Sequence, residues 1–185
     1  MPLLQTSRLV GGTALALQLG HRSSINLDLF GEFKNSYVDF LDVFNNEGLT
    51  VNSLQNTKSI HIFEIEGVKV DIVNYPYKWL EDPIEDDGIK LLGLKDIAAM
   101  KLAAITNRGT KKDFIDMYFL LHHFSLNEML EFYNTKYNTN SIYSVIRSVV
   151  YFADAENDPM PKMHIFATWD EVKAFIKESV EKISV

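Results

Sequence analysis

The period of the hydrophobic positions changes part-way along the chain. In Ser59–Asn74, SIHIFEIEGVKVDIVN, apolar and polar residues alternate on either side of Glu66-Gly67, the pattern of two half-buried strands joined by a two-residue turn. That turn pairs Ile65 with Val68, Glu64 with Lys69, Phe63 with Val70 and Ile62 with Asp71. Phe63, Ile65, Val68, Val70 and Ile72 then share one apolar face. Asp71 looks to the other face beside Ile62 and Val73, so it sits at an opening in the sheet or does chemistry. From Leu94 onward the apolar spacing becomes helical, predicting helices over Leu94–Asn107, Lys111–Phe124, Leu126–Tyr137, Ser141–Ala153 and Trp169–Ile183. Glu156–Pro161 breaks the last two. An earlier helix is predicted over Ser36–Phe44, and Tyr75–Gly88, with two prolines and the acidic run Glu85-Asp86-Asp87, reads as a loop. Strands precede helices, so the predicted class is α+β.

The segment Leu9–Phe30, LVGGTALALQLGHRSSINLDLF, reads as a short apolar strand, a Gly-Gly turn, a small-residue helix over Thr13–Leu19 and a strand over Ile25–Phe30. Gly11 and Gly12 let backbone approach a ligand closely, and Thr13 can contact a phosphate oxygen; the same residues also make a tight turn with a threonine N-cap. Asn26 and Asp28, two apart on a strand, project side by side. Two acids at that spacing would suit magnesium, which prefers oxygen ligands. Asn26 brings a carbonyl oxygen but no charge, and a strand edge with a solvated Asp28 is the plain alternative. His21-Arg22-Ser23-Ser24 reads either as a phosphate-contacting loop or as a polar connector.

On the Leu94–Asn107 helix, Lys101 has Ile97, Ala98, Ala104 and Ile105 as its neighbours three and four residues away. A lysine there either snorkels from a buried stripe or reaches into a cleft. In RGTKKDFIDMYFLL, Thr110 and Asp113 form a capping pair, which accounts for Asp113; Asp116 lies past the first turn and has no such reason. Arg108, Lys111 and Lys112 read as a phosphate-binding cluster or a solvated face. His122 and His123, adjacent on a helix, read as one core and one surface residue.

Composition narrows the setting. The 185 residues are 46% hydrophobic and 23% charged, ordinary for one globular domain with or without a helical extension. There is no cysteine, which excludes disulfides and thiolate metal sites. The formal net charge of −7 argues against indiscriminate nucleic-acid binding, though not against RNA on a local basic patch. The apolar run Leu9–Leu19 is broken by glycines and far short of a membrane span, so a cytoplasmic location without membrane association is expected.

Taken in order, GGTALAL, HRSS with INLDLF, VDIV and LKDIAAMKLAAITNRGTKKDFIDMYFLL resemble the AbiEii-type nucleotidyltransferase toxins of type IV toxin–antitoxin, abortive-infection systems, within the polymerase-β-like nucleotidyltransferase superfamily. The resemblance runs from about Leu9 to about Leu121. It implies a polymerase-β-like mixed sheet followed by a C-terminal helical lobe: residues 1–93 as the α/β core and residues 94–185 as a lobe contributing Lys101 and Asp116 to the same site. Gly11, Gly12 and Thr13 fall on the family's glycine motif near the triphosphate, with Arg22 expected beside the nucleotide. Asp28 matches the second acid of its strand motif and Asp71 the third acid on a neighbouring strand. With Asn26, these would be the magnesium ligands. Lys101 matches the helix lysine and Asp116 the acid of the last motif, and Asp28, Asp71, Lys101 and Asp116 are the expected catalytic set. The implied reaction moves a nucleotide from an NTP to an acceptor, in some relatives the 3′ end of tRNA, and implies a cognate antitoxin. Asn26 stands where the motif has its first acid, so a catalytically impaired nucleotide- or RNA-binding member is the alternative. Relatives carry more residues ahead of the glycine motif, compatible with a trimmed start or an edge packed by a partner.

Overall fold

The computed structural model describes residues 2–139 and 142–183. Among them are seven strands in one mixed sheet and seven α-helices, an α+β chain. The strands are β1 (Arg8–Leu9), β2 (Leu27–Gly31), β3 (Val51–Asn56), β4 (Ile60–Ile65), β5 (Val68–Asn74), β6 (Ile84–Asp86) and β7 (Ile89–Leu91). Their order across the sheet is β3-β4-β5-β2-β1-β7-β6. The helices are α1 (Gly11–Leu19), α2 (Tyr37–Asn46), α3 (Leu94–Arg108), α4 (Lys111–Leu120), α5 (Leu126–Tyr137), α6 (Ile142–Val149) and α7 (Trp169–Glu181).

The residues group into two compact units. The first comprises residues 2–14, 24–76 and 83–92; the second comprises residues 15–23, 77–82, 93–139 and 142–183. The whole sheet and α2 belong to the first. Its central hairpin has the register that the alternation predicts: Ile65 faces Val68, Glu64 faces Lys69, Phe63 faces Val70 and Ile62 faces Asp71. Glu66 and Gly67 both take positive φ, 49° and 77°, as a two-residue turn that follows strand twist requires. Phe63, Val70 and Ile72 pack with Phe40 and Phe44 of α2, and Ile65 and Val68 border that cluster. Ser36 caps α2 in a capping box with Asp39.

Several strands lie where the sequence suggested none. β3 is an exposed, mostly polar edge with a bulge between Ser53 and Gln55, so it carries no alternation to detect. β6 and β7 fold the supposed loop into a short hairpin around Asp87 and Gly88, whose φ values are 47° and 77°. That Asp-Gly pair is a hairpin signal, masked by strands of only three residues.

The second unit is built from α3 to α7. Leu102, Ile105, Phe114, Ile115, Met117, Leu120, Met129 and Val149 are buried in it. Lys111, read from sequence as phosphate-binding or solvated, is buried: its ammonium donates to the carbonyls of Glu156 (2.9 Å) and Asp158 (2.5 Å). Thus it ties the break after α6 to the start of α4. α4 ends at Leu120, short of the predicted Phe124, and both His122 and His123 are exposed in the turn that follows. No helix of the described residues is long and apolar enough to cross a membrane.

Phe63 is fully buried and lies against the rings of Tyr37 and Phe44. Phe63→Ala is expected to cost about 3–5 kcal/mol of stability through lost burial and the cavity it leaves. Urea unfolding monitored by circular dichroism measures this.

Candidate functional site

In the first unit, the site grows from the pairing of β2 with β5. These strands run parallel, with Leu27 opposite Val70, Asp28 opposite Asp71 and Leu29 opposite Ile72. Leu27, Leu29, Val70 and Ile72 contribute to the α2 core. Because side chains alternate along a strand, Asp28 and Asp71 project together from the opposite face. Two carboxylates from sequence positions 43 apart are thereby neighbours.

α1 begins beside them. Gly11 has φ +67°, and a Cβ built on it would lie 2.6 Å from Oδ2 of Asp28. Only glycine leaves room for the carboxylate there, and only glycine takes that φ without strain. Backbone and acid are thus in close approach where the Gly-Gly motif led one to expect a ligand. The helix starts at Gly11, two residues before the predicted Thr13, so Thr13 is not its N-cap. Its buried hydroxyl instead donates to the carbonyl of Asn26 and bonds Ser24 Oγ at 2.8 Å, tying the first turn of α1 to the lead-in of β2.

Asn26 lies outside the strand. β2 starts at Leu27, where β5 first offers a ladder partner, and the backbone carbonyl of Asn26, not its side-chain amide, is engaged by Thr13. Asn26 is exposed, and its alternation with Asp28 is not enforced by sheet pairing. Asp71, in turn, has a partner that the alternation places on its own face: Lys69 donates to both its carboxylate oxygens at 2.6 and 2.7 Å. Among the described residues no group of three or more His, Asp or Glu side chains is placed to hold a metal ion. The arrangement Asp28–Asp71 fits a cation that takes one or two protein carboxylates and fills the rest of its octahedron with water and phosphate oxygens. It does not fit a cation held by protein alone.

The other predicted residues meet in the second unit, around Asp116. This carboxylate is fully buried. Its Oδ1 accepts from His21 Nε2 at 2.8 Å and Arg22 Nε at 2.7 Å, and its Oδ2 accepts from Arg22 Nη2 at 2.7 Å. Lys101 Nζ lies 2.6 Å from Oδ2 of Asp116 and 2.9 Å from Oδ1 of Asp113. Asp113 also accepts from the Thr110 amide and hydroxyl, as a capping acid should. Arg22 and Lys101 are balanced by Asp116 and Asp113, which is how four charges tolerate burial. Burial opposes the charge on Asp116, but Lys101 and the hydrogen bonds from His21 and Arg22 outweigh it and hold the carboxyl well below its ordinary pKa. Burial likewise opposes the charge on Lys101, yet Asp116 and Asp113 raise its pKa above the ordinary value.

His21 and Arg22 are thus neither free connector nor exposed phosphate loop. They are further fixed by Ser23 N donating to Lys162 O and His164 N donating to His21 O, with Arg22 bridged to Met163. Among the described residues Nδ1 of His21 is buried with no hydrogen-bond partner, so the donor facing Asp116 is Nε2. The pairing of His21 with Asp116 leaves no signal in the sequence because the two lie 95 residues apart.

This architecture is a nucleotidyltransferase fold. It superposes on the crystal structure of JHP933 from Helicobacter pylori with a TM-score of 0.65 at 17% identity, covering 97% of this chain and 85% of that one. A second H. pylori structure, provisionally named a nucleotidyltransferase, gives a TM-score of 0.64 at 17% identity over 97% and 88% of the two chains. An uncharacterized protein of Aquifex aeolicus (strain VF5) is 35% identical over 179 residues, 94% of this chain and 86% of its own length. The sequence model of the family described as "Nucleotidyl transferase AbiEii toxin, Type IV TA system" matches residues 3–180. The chain belongs to the AbiEii nucleotidyltransferase toxin family.

Two outcomes follow from the geometry. Gly11→Ala is expected to cost about 1–3 kcal/mol, the range for a non-glycine residue forced into left-handed backbone, and a thermal melt measures it. Asp116→Asn leaves two buried cations undercompensated and is expected to cost about 3–5 kcal/mol at pH 7. The folded-state pKa of Asp116 is lowered, so its contribution is complete above the unfolded carboxylate value of about 3.9 and is lost as pH falls toward the folded value. Urea titrations should therefore show the gap between wild type and Asp116→Asn closing below about pH 4. The raised pKa of Lys101 keeps its contribution intact up to about pH 10.4.

Proposed function

We propose that the protein is a magnesium-dependent nucleotidyltransferase that moves a nucleotide from an NTP to a hydroxyl acceptor. The observation that carries this reading is the in-register placement of Asp28 beside Asp71, with the Gly11 backbone closed against the Asp28 carboxylate. Asp28 and Asp71 hold the cation of the incoming NTP. The first turn of α1, which has amides without intrahelical partners, offers donors to the phosphates, and Gly11 and Gly12 keep side chains out of the way. Thr13 fixes that turn to the lead-in of β2 rather than touching phosphate, since its hydroxyl is occupied by Asn26 and Ser24. Magnesium, when bound, neutralises phosphate charge and polarises the phosphorus for in-line displacement. The acceptor oxygen forms a bond to the α-phosphorus as its hydroxyl proton passes to solvent, and the bond from that phosphorus to the bridging oxygen breaks, releasing pyrophosphate.

Asp116 is a positioning residue: it holds Arg22 and Lys101 rather than activating the acceptor, because all its acceptor sites are taken by His21, Arg22 and Lys101. We read the acceptor as an RNA 3′ end, with tRNA foremost, and the biological setting as a toxin acting with a cognate antitoxin. Membership of a family described as a type IV toxin–antitoxin nucleotidyltransferase supports the toxin setting, and the RNA acceptor rests only on the resemblance of the sequence motifs.

A second reading has its own observation. Asn26 supplies no charge, and Lys69 engages both oxygens of Asp71, so the site carries less negative charge than three acids would give. This favours a member that binds nucleotide and transfers it slowly or not at all.

Radiolabelled NTPs incubated with total RNA and magnesium separate the two. Transfer that Asp28→Asn lowers on the order of a hundredfold, with Asn26→Asp raising it several-fold, supports the enzyme. Nucleotide binding without product supports the impaired member. A protein that binds no NTP in the presence of magnesium refutes both.

A further inference from the structure

The carboxylates of the candidate site already share their face of the sheet with a cation. Lys69 lies two residues before Asp71 on β5, so both side chains leave the same face, and its Nζ contacts Oδ1 at 2.6 Å and Oδ2 at 2.7 Å. The contact is bidentate and placed where a metal ligand must present its lone pairs. Asp71 is well covered, with its side chain 19% exposed, whereas Lys69 is 41% exposed and has room to leave. Glu64 faces Lys69 across β4–β5 and shares its side of the sheet, so a displaced ammonium has another carboxylate on the face it came from. Arg8, opposite Phe30 in the β1–β2 ladder, adds a second positive charge to that face. Against these stand Asp28, Asp71 and Glu64, with Asn26 contributing none.

We propose that Lys69 is a resident counter-cation that keeps free divalent metal out of the Asp28–Asp71 pair, so that the site loads only a metal already carried by a triphosphate. The inference rests on the nucleotidyltransferase reading of that pair. A bare divalent ion must break both Lys69–Asp71 hydrogen bonds and sit beside the ammonium, and like charges a few ångströms apart repel strongly near a protein surface. It gains only two carboxylates in return, because no third His, Asp or Glu joins them among the described residues. A metal–triphosphate complex brings its own oxygen ligands and a net negative charge. Lys69, once released, then faces an anion instead of a cation, and the repulsion becomes attraction. Lys69 thereby sets the order of assembly: nucleotide and metal arrive together, and metal alone does not accumulate.

The test uses Mn²⁺ as the probe, read by electron paramagnetic resonance of free ion and by calorimetry, so no turnover is needed. Wild-type protein should bind Mn²⁺ weakly alone and at least about tenfold more tightly with ATP or GTP present, in excess of the affinity of the nucleotide for the metal. Lys69→Met should tighten binding of free Mn²⁺ by about tenfold or more, and Lys69→Arg, which keeps the charge, should not. Adding Asp71→Asn to Lys69→Met should abolish the gain, which assigns it to this carboxylate. Circular dichroism melts confirm that the variants fold. If Lys69→Met leaves free-metal affinity unchanged while Mn²⁺–nucleotide still binds in a manner dependent on Asp28 and Asp71, the gatekeeping role of Lys69 is wrong and the nucleotidyltransferase reading survives. If no protein binds Mn²⁺ with or without nucleotide, both fall.

Discussion

The parallel pairing of β2 with β5 is the constraint from which the site follows. Register in a sheet is a two-way choice: a shift of one residue sends every side chain to the opposite face. Here Leu27, Leu29, Val70 and Ile72 must all meet Phe40 and Phe44, and burying them fixes the register. Asp28 and Asp71 are consequently adjacent on the other face without any attraction between them. The cost of assembling two like charges is met by the hydrophobic core behind them together with the Lys69 ammonium that engages Asp71. Gly11 completes the arrangement because its missing side chain leaves space for a carboxylate that the core has already placed.

The second unit solves a different electrostatic problem. Asp116 is surrounded by His21, Arg22 and Lys101, and every acceptor position on it is used. Such a hub is high-stakes rather than intrinsically stabilising: fully connected, it specifies one arrangement, and with a member removed it strands a buried charge. It also explains why a His-Arg pair sits in the connector after α1. These residues belong to the compact unit of α3 and α4, held there by a carboxylate more than ninety residues later.

In the proposed reaction, Asn26 and Lys69 bear on the same quantity, the charge presented to an incoming cation. One withholds a negative charge; the other supplies a positive one directly against Asp71. On that proposal, the site depends on what the substrate brings with it. That is consistent with magnesium chemistry in general, where the ion dehydrates reluctantly and binds through phosphate as much as through protein.

Much of this protein was legible in its sequence because the controlling rules are local. The Glu66-Gly67 turn and the alternation around it determined the β4–β5 register, including the isolation of Asp71 from the apolar face. Helical spacing located α3 and α5, and the Thr110–Asp113 pair marked the start of α4. Where partners are distant, locality fails. β3 and β6 are exposed edges whose strand state comes from a neighbour's hydrogen bonds rather than from their own pattern. Asn26 has the spacing of a strand residue, but the ladder begins at Leu27. Lys111 reads as part of a phosphate-binding cluster or a solvated face, yet it is buried and donates to two carbonyls of a later loop. The sequence by itself determined which residues prefer a buried face and where the chain turns, since those follow from side-chain chemistry and a few dihedral angles. Only the tertiary structure decided which charges meet, because Coulomb and hydrogen-bond partners are chosen by proximity in space, and sequence separation carries no information about that.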